Sequence, residues 1–168
     1  MVVFELLLGF GKGLRADDGR RVPELPGLPG QVEVKVREAP QEMVVLADPA
    51  RLQQVFLNLI RIAWEGMVDV HDRARRLAIR TELGKNDHVR FSVKDVGQGI
   101  DIQAMHQIFD AFYSTKLAGM GVGLSVSRAI IERHNGRLWA EPNEPHGANL
   151  LFSLPAVYST LVQGSAVQ

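Results

Sequence analysis

The sequence predicts a two-layer α/β sandwich, a mixed sheet of about five strands with helices on one face. Two observations predict the layers. The runs QVEVKVRE, RLAIRTEL and HVRFSVKD alternate apolar and polar residues, the period of a half-buried strand. The segments from Pro49 and from Gly121 repeat their apolar residues at helical spacing instead. A third observation points to a site. Two glycine clusters, Gly97-x-Gly99 and Gly119-x-Gly121-x-Gly123, bracket a stretch carrying Phe109 and Phe112, and the second opens directly into a helix.

The composition narrows the class. At 168 residues the chain is about one domain, with enough length for a real core. Lys plus Arg and Asp plus Glu stand at 19 each, so no bulk field draws in nucleic acid or an anionic membrane. With no cysteine, disulfides and thiolate metal sites are excluded. The opening MVVFELLL is too short to span a bilayer and has no basic flank or cleavage site, so direct membrane insertion is not expected and a cytoplasmic domain is the default.

Residues 1–30 read as a linker or ill-ordered arm, because RADDGRRVPELPGLPG is rich in charge, proline and glycine. GFGKG there lacks the Lys-Ser/Thr ending of a phosphate loop. The strand QVEVKVRE follows, then a short one, EMVVLA. Asp48-Pro49 predicts a helix start, with the aspartate as N-cap and proline at the first helical position. Leu52, Val55, Phe56, Leu59, Ala63 and Gly66 share its core face, widened by Leu57, Ile60, Trp64 and Met67. Asn58, Ile62, Glu65 and Asp69 form a separate edge, where Glu65 and Asp69 read as solvated charges. VHDRARR reads as a basic surface loop. RLAIRTEL and HVRFSVKD are hairpin strands joined by GKND. The second helix, about Gly121 to His134, packs through Leu124, Val126, Ala129, Ile130 and Ile131. It ends at Asn135-Gly136, residues that tolerate left-handed geometry. RLWAE and NLLFSLP are closing strands linked by PNEPHGA, and residues 156–168 form a tail without signal.

Asp95 ends a strand at a glycine turn. Such a carboxylate can accept a hydrogen bond from an exocyclic amine, while glycines let a ring approach the backbone. Glycines ahead of a helix leave free N–H groups at the positive end of its dipole to cradle a phosphate. Together these residues read as a purine-nucleotide pocket with a mobile flap, in which Ile108, Phe109 and Phe112 could clamp the flap to the domain.

Four stretches, in order, resemble the motifs of the catalytic ATP-binding domain of bacterial sensor histidine kinases, within the GHKL ATPase superfamily. DPARLQQVFLNLIRIAWEGM is similar to the N-box, DVGQGI to the first glycine box, IFDAFYSTK to the F-box and GMGVGLSVSRAIIERHNGRLWAE to the second glycine box. The resemblance covers roughly residues 31–155. It implies ATP and Mg²⁺ as cofactors, and a mobile ATP lid over the nucleotide. It implies adenine contacts at Asp95, Gly97, Gly99 and Ile100, and lid or phosphate contacts at Phe112, Thr115, Lys116, Gly119, Gly121, Val122, Gly123 and Leu124. Lys116 by itself reads equally as a solvated lysine. Asn58 corresponds to the first of two N-box asparagines, the catalytic and metal-site pair. Its bland alternative is a cap on a neighbouring backbone group. Ile62 stands where the second asparagine, the usual magnesium ligand, is expected. Asn149 stands where a threonine commonly supports the adenine-binding aspartate.

The function this implies is ATP binding for phosphorylation of a histidine on a dimerisation helical hairpin, which then serves a response-regulator receiver domain. None of His71, His88, His106, His134 and His146 sits in the family's His-Glu-x-x-x-Pro setting, so the acceptor is expected on that partner module. The alternative is a degenerate kinase-like binding module with impaired Mg-ATP use, acting through protein contacts. Ile62 is the residue that favours it. A hydrolytic ATPase lacks support, since such members commonly carry glutamate where Asn58 stands.

Overall fold

The structure is a computed structural model. It describes residues 45–113 and 122–157, together with the backbone of Leu14–Arg15, Arg21–Val22, Glu33–Arg37 and Val44. The strands are β1 (Leu14–Arg15), β2 (Arg21–Val22), β3 (Glu33–Arg37), β4 (Val44–Val45), β5 (Arg76–Leu83), β6 (His88–Asp95), β7 (Arg137–Pro142) and β8 (Ala148–Val157). Two helices of the described residues, α1 (Pro49–Gly66) and α2 (Gly123–Arg133), lie between them in sequence, with single 3₁₀ turns at Lys85–Asp87 and Gln107–Phe109.

The sheet is mixed, as the alternating runs predict. Its order is β3-β5-β6-β8, with β7 and the short β4 both bonded to β8. β3 runs parallel to β5, and the remaining pairs of this sheet are antiparallel. Within the stretch read as a linker, β1 and β2 pair with each other, Leu14 opposite Val22.

Alternation places Leu77 and Ile79 of β5, Val89, Phe91 and Val93 of β6, and Leu150, Phe152 and Leu154 of β8 on the face under the helices, all buried. Phe56 of α1 meets two of these rings edge-on, at 5.6 Å from Phe91 and 5.1 Å from Phe152, while Phe91 and Phe152 stack at 4.6 Å. This three-ring contact joins helix to sheet at the centre of the core.

α1 begins where the sequence predicts. Asp48 Oδ1 accepts from the N–H groups of Ala50 (2.9 Å) and Arg51 (3.3 Å), and Pro49 opens the helix. The expected broad burial is narrower than the apolar residues suggest. Leu57 is 38% exposed and so lies at the margin of the core face. α1 stops at Gly66, so Asp69 lies in the following turn and not on the edge with Asn58. In α2, Ser127, Ile130 and Ile131 are buried, whereas Val126 and Ala129 face solvent. The helix packs on one narrow stripe, so two residues expected in the core are outside it. Asn135 takes the left-handed conformation (φ 57°) that ends α2.

The two helices are tied end to end. His134, just beyond α2, approaches Ile130 O through Nδ1 at 2.8 Å, and its Nε2 accepts from the Asp48 N–H at 3.2 Å. One ring thus satisfies a carbonyl of α2 and an amide at the start of α1. It is a structural residue at a helix end, as its position suggests. Truncating Phe56 to alanine removes the ring shared by both layers and should lower unfolding free energy by about 3–5 kcal/mol, read by denaturant titration. A loss below about 1 kcal/mol would show that the three-ring contact does not hold the layers together.

Candidate functional site

Asp95 closes β6 with its side chain on the helix side of the sheet, 4% exposed. Two backbone N–H groups donate to its Oδ1, from Gly97 at 2.7 Å and from Ala148 at 3.2 Å. Burial raises its pKa above the ordinary carboxylate value of 3.8, and the two N–H bonds pull it back down. Both of those bonds go to the same oxygen. The carboxylate has a second oxygen, Oδ2, to present to a ligand.

The turn after Asp95 is held from several sides. Asn143, buried in the β7–β8 connection, donates through Nδ2 to the Asp95 carbonyl at 2.6 Å. Arg73 donates through Nε to the Val96 carbonyl at 3.0 Å and through Nη2 to the Gly97 carbonyl at 3.2 Å. The Gln98 N–H donates to Gly66 O at the end of α1, at 3.1 Å. Gly97 is pressed so closely on that helix end that an added Cβ would collide with the Gly66 carbonyl. Gly99 follows with φ +82°, and Ile100 packs against the core.

Asn58 sits at the opposite end of the site. Its Nδ2 donates to Ser127 Oγ of α2 at 3.0 Å, and its Oδ1 accepts from Arg61 Nη2 at 3.3 Å. It therefore bonds side chains, not the neighbouring backbone group of the bland reading. A Cβ on Gly123 would lie 2.5 Å from Asn58 Oδ1, so the first turn of α2 has glycine where the N-box asparagine abuts it. Val122 is the N-cap residue of α2, and Leu124 packs on the core in its first turn. The structure thus brings Asn58, Val122, Gly123 and Leu124 together at one helix start, and Asp95, Gly97, Gly99 and Ile100 together at one turn. Both groups adjoin α1, the first midway along it and the second at its C-terminal end.

Two expectations are corrected. Asn149 does not support Asp95 with its side chain. It is paired across the sheet with Lys94, the neighbour of Asp95, so it lies on the opposite pleat. The support comes instead from the backbone N–H of the preceding residue, Ala148. In the flap, Phe109 is buried and Ile108 packs on the core, but Phe112 is 82% exposed with φ +67°, and so takes no part in the clamp. Ser114, Thr115, Lys116, Gly119 and Gly121, with most of the lid, lie outside the described residues.

The described residues offer few protein ligands for a magnesium ion. Ile62 is packed against the core, and its side chain has no donor atom. Among the described residues no group of three or more His, Cys, Asp or Glu side chains is placed to hold a metal. Of the edge expected to carry ligands, only Asn58 and Glu65 remain.

Sequence reasoning missed Arg73 and Asn143. The first lies in VHDRARR, where five of seven residues are polar or charged and nothing separates a clamp from a solvated arginine. The second lies in PNEPHGA, where asparagine after proline reads as an ordinary turn residue.

Comparison with known proteins gives the family and the fold. Residues 47–157 match the model of the histidine kinase-, DNA gyrase B- and HSP90-like ATPases. Sensor protein FixL of Bradyrhizobium diazoefficiens is 41% identical over 125 residues, 74% of this chain and 24% of that protein. The catalytic domain of histidine kinase ThkA superposes with a TM-score of 0.62 at 31% identity, over 74% of this chain and 78% of that one. Full-length ShkA in complex with AMPPNP superposes with a TM-score of 0.65 at 27% identity, over 74% and 26%. The chain spans about a quarter or less of the length of the curated relatives it matches first.

The raised pKa of Asp95 gives a signed prediction for stability. A carboxyl whose folded pKa lies above its unfolded value favours folding most below the unfolded pKa, and that contribution is lost as pH rises through the folded one. Asn at this position cannot ionise and keeps an oxygen for the two N–H donors. Relative to Asp95→Asn, the parent should therefore lose stability as pH climbs from below the ordinary carboxylate range towards neutrality. Paired unfolding curves across that range test this, and parallel pH profiles would contradict it.

Proposed function

The chain belongs to the histidine kinase-, DNA gyrase B- and HSP90-like ATPase family as a catalytic ATP-binding domain of the histidine kinase kind, and we propose that it holds ATP for phosphoryl transfer to a histidine on a separate dimerisation hairpin. In that transfer an N–P bond forms at the histidine ring while the bond from the γ-phosphorus to the β–γ bridging oxygen breaks, and ADP leaves. The receiver domain of a response regulator then takes the phosphoryl group from the histidine, in the cytoplasm. No helix among the described residues is long and apolar enough to cross a membrane.

The observation that carries this reading is the buried Asp95 carboxylate, fixed through one oxygen beside a glycine turn. Its other oxygen accepts from the adenine amine, with Gly97, Gly99 and Ile100 under the ring. The resemblance assigns the phosphates to Gly119, Gly121, Val122, Gly123 and Leu124, with the N-terminal amides of α2 to receive them. Thr115, Lys116 and Phe112 belong to the lid that closes over them. Asn58 stands beside the triphosphate. Asp95→Asn should weaken ADP binding by about 1.5 kcal/mol or more, the scale of a charge-assisted hydrogen bond. Calorimetric titration of a folded variant decides it, and an affinity equal to the parent's sinks the assignment.

A second reading is favoured by one residue. Ile62 lies where the metal ligand of the N-box is expected, and it is packed on the core. A domain so built takes nucleotide with little help from magnesium and acts largely through protein contacts. Mg²⁺ should therefore improve ATP affinity only slightly in the parent. Ile62→Asn should widen that gain by on the order of 1 kcal/mol, with ADP affinity in the absence of metal moving much less. Titrating parent and variant with and without Mg²⁺ separates the two readings. Strong magnesium dependence in the parent, unchanged in Ile62→Asn, restores the full kinase reading.

A further inference from the structure

Three consecutive backbone carbonyls, those of Asp95, Val96 and Gly97, are each taken by a side chain from another segment. Asn143 holds the first. Arg73 alone holds the other two, one with Nε and one with Nη2. Its remaining terminal nitrogen, Nη1, donates to both oxygens of Asp72, at 2.9 and 2.8 Å. The planar guanidinium is thus fixed in orientation on one edge while its other edge grips the turn. These bonds are distinct from the two that fix the carboxylate, and they set where the backbone beneath the base lies.

We infer that Arg73 is a positioning residue for base recognition: it holds the 96–97 peptides so that Asp95 Oδ2 meets an exocyclic amine at hydrogen-bond distance. The inference rests on the adenine reading of Asp95. Its physical content is that recognition of the amine needs Oδ2 at hydrogen-bond distance and angle, which the turn sets, whereas the phosphates meet the separate start of α2. Without Arg73, two carbonyls lose their donors, and the turn is left to the Gln98–Gly66 bond, the Asn143 bond and the two N–H bonds to the carboxylate. The bases then bind with less regard to their amine.

A control is available two residues away. Arg75 makes the same kind of grip, from Nε to Val70 O at 3.2 Å and from Nη2 to Val68 O at 2.9 Å, and lies over the Trp64 ring. Those carbonyls belong to the loop after α1 and not to the turn at Asp95.

The test compares ADP with inosine diphosphate, which lacks the exocyclic amine, by calorimetry on the whole chain. The parent should prefer ADP. Arg73→Ala should lower that preference about tenfold, chiefly through weaker ADP binding. Arg73→Lys, which keeps the charge but cannot bridge both carbonyls, should fall between the two and covers the case in which the alanine variant does not fold. Arg75→Ala should lower the thermal midpoint and leave the preference intact. An unchanged preference in folded Arg73→Ala or Arg73→Lys overturns the inference, as does an equal loss of both ligands. If Asp95→Asn abolishes the preference while the Arg73 variants keep it, the adenine reading stands and only the role of Arg73 falls. A parent that binds both diphosphates equally overturns both.

Discussion

A carboxylate buried between a sheet and a helix end is the constraint on which the rest of this structure depends. Its desolvation works against the ionised form, and two backbone N–H groups offset part of that cost. Those donors come from residues on either side of the site: Gly97 in the turn that follows, and Ala148 at the start of β8, across the sheet. For both to reach one oxygen, β6 and β8 must end in register and the turn must fold tightly back. That in turn requires glycine at 97, because the turn is pressed on the last carbonyl of α1. Sheet register, helix length and turn chemistry thus converge on a single atom.

α1 links this turn to the other end of the site. Asn58 lies two turns before the Gly66 end, bonded to Ser127 and abutting Gly123, so the same rigid element bears on both glycine boxes. The three-ring contact of Phe56, Phe91 and Phe152 holds α1 against β6 and β8 just before Asn58. Packing in the core and geometry at the site are consequently one problem. A shift of α1 along the sheet moves the base turn and the start of α2 together.

Much of this was legible in the sequence, and the reason is local. Asp48-Pro49 announces a helix start by its own chemistry, Asn135-Gly136 announces an end, and the alternation in β5 and β6 states which face is buried. Asp95 was legible as a strand end at a glycine turn, and the whole of DVGQGI, more than the carboxylate alone, singled it out. The departures arise where the deciding partner is far away in sequence. Leu57, Val126 and Ala129 are apolar, but whether an apolar residue at the margin of a face is covered depends on its neighbour across the interface. Asn149 was misassigned by one residue, and in a strand one residue is the difference between the two faces. Arg73 and Asn143 act on carbonyls 23 and 48 residues from them, and no local pattern marks an arginine as a backbone clamp.

The packing of Ile62 ties the edge beside Asn58 to the stability of the core. Its side chain adds apolar contact to the core between α1 and the sheet. A polar residue at 62 gives up that contact and brings an amide to the margin of a dry interior, where it needs partners of its own. An oxygen donor at 62 is thus set against a step in stability, so the same side chain weighs on the interior and on the chemistry of that edge.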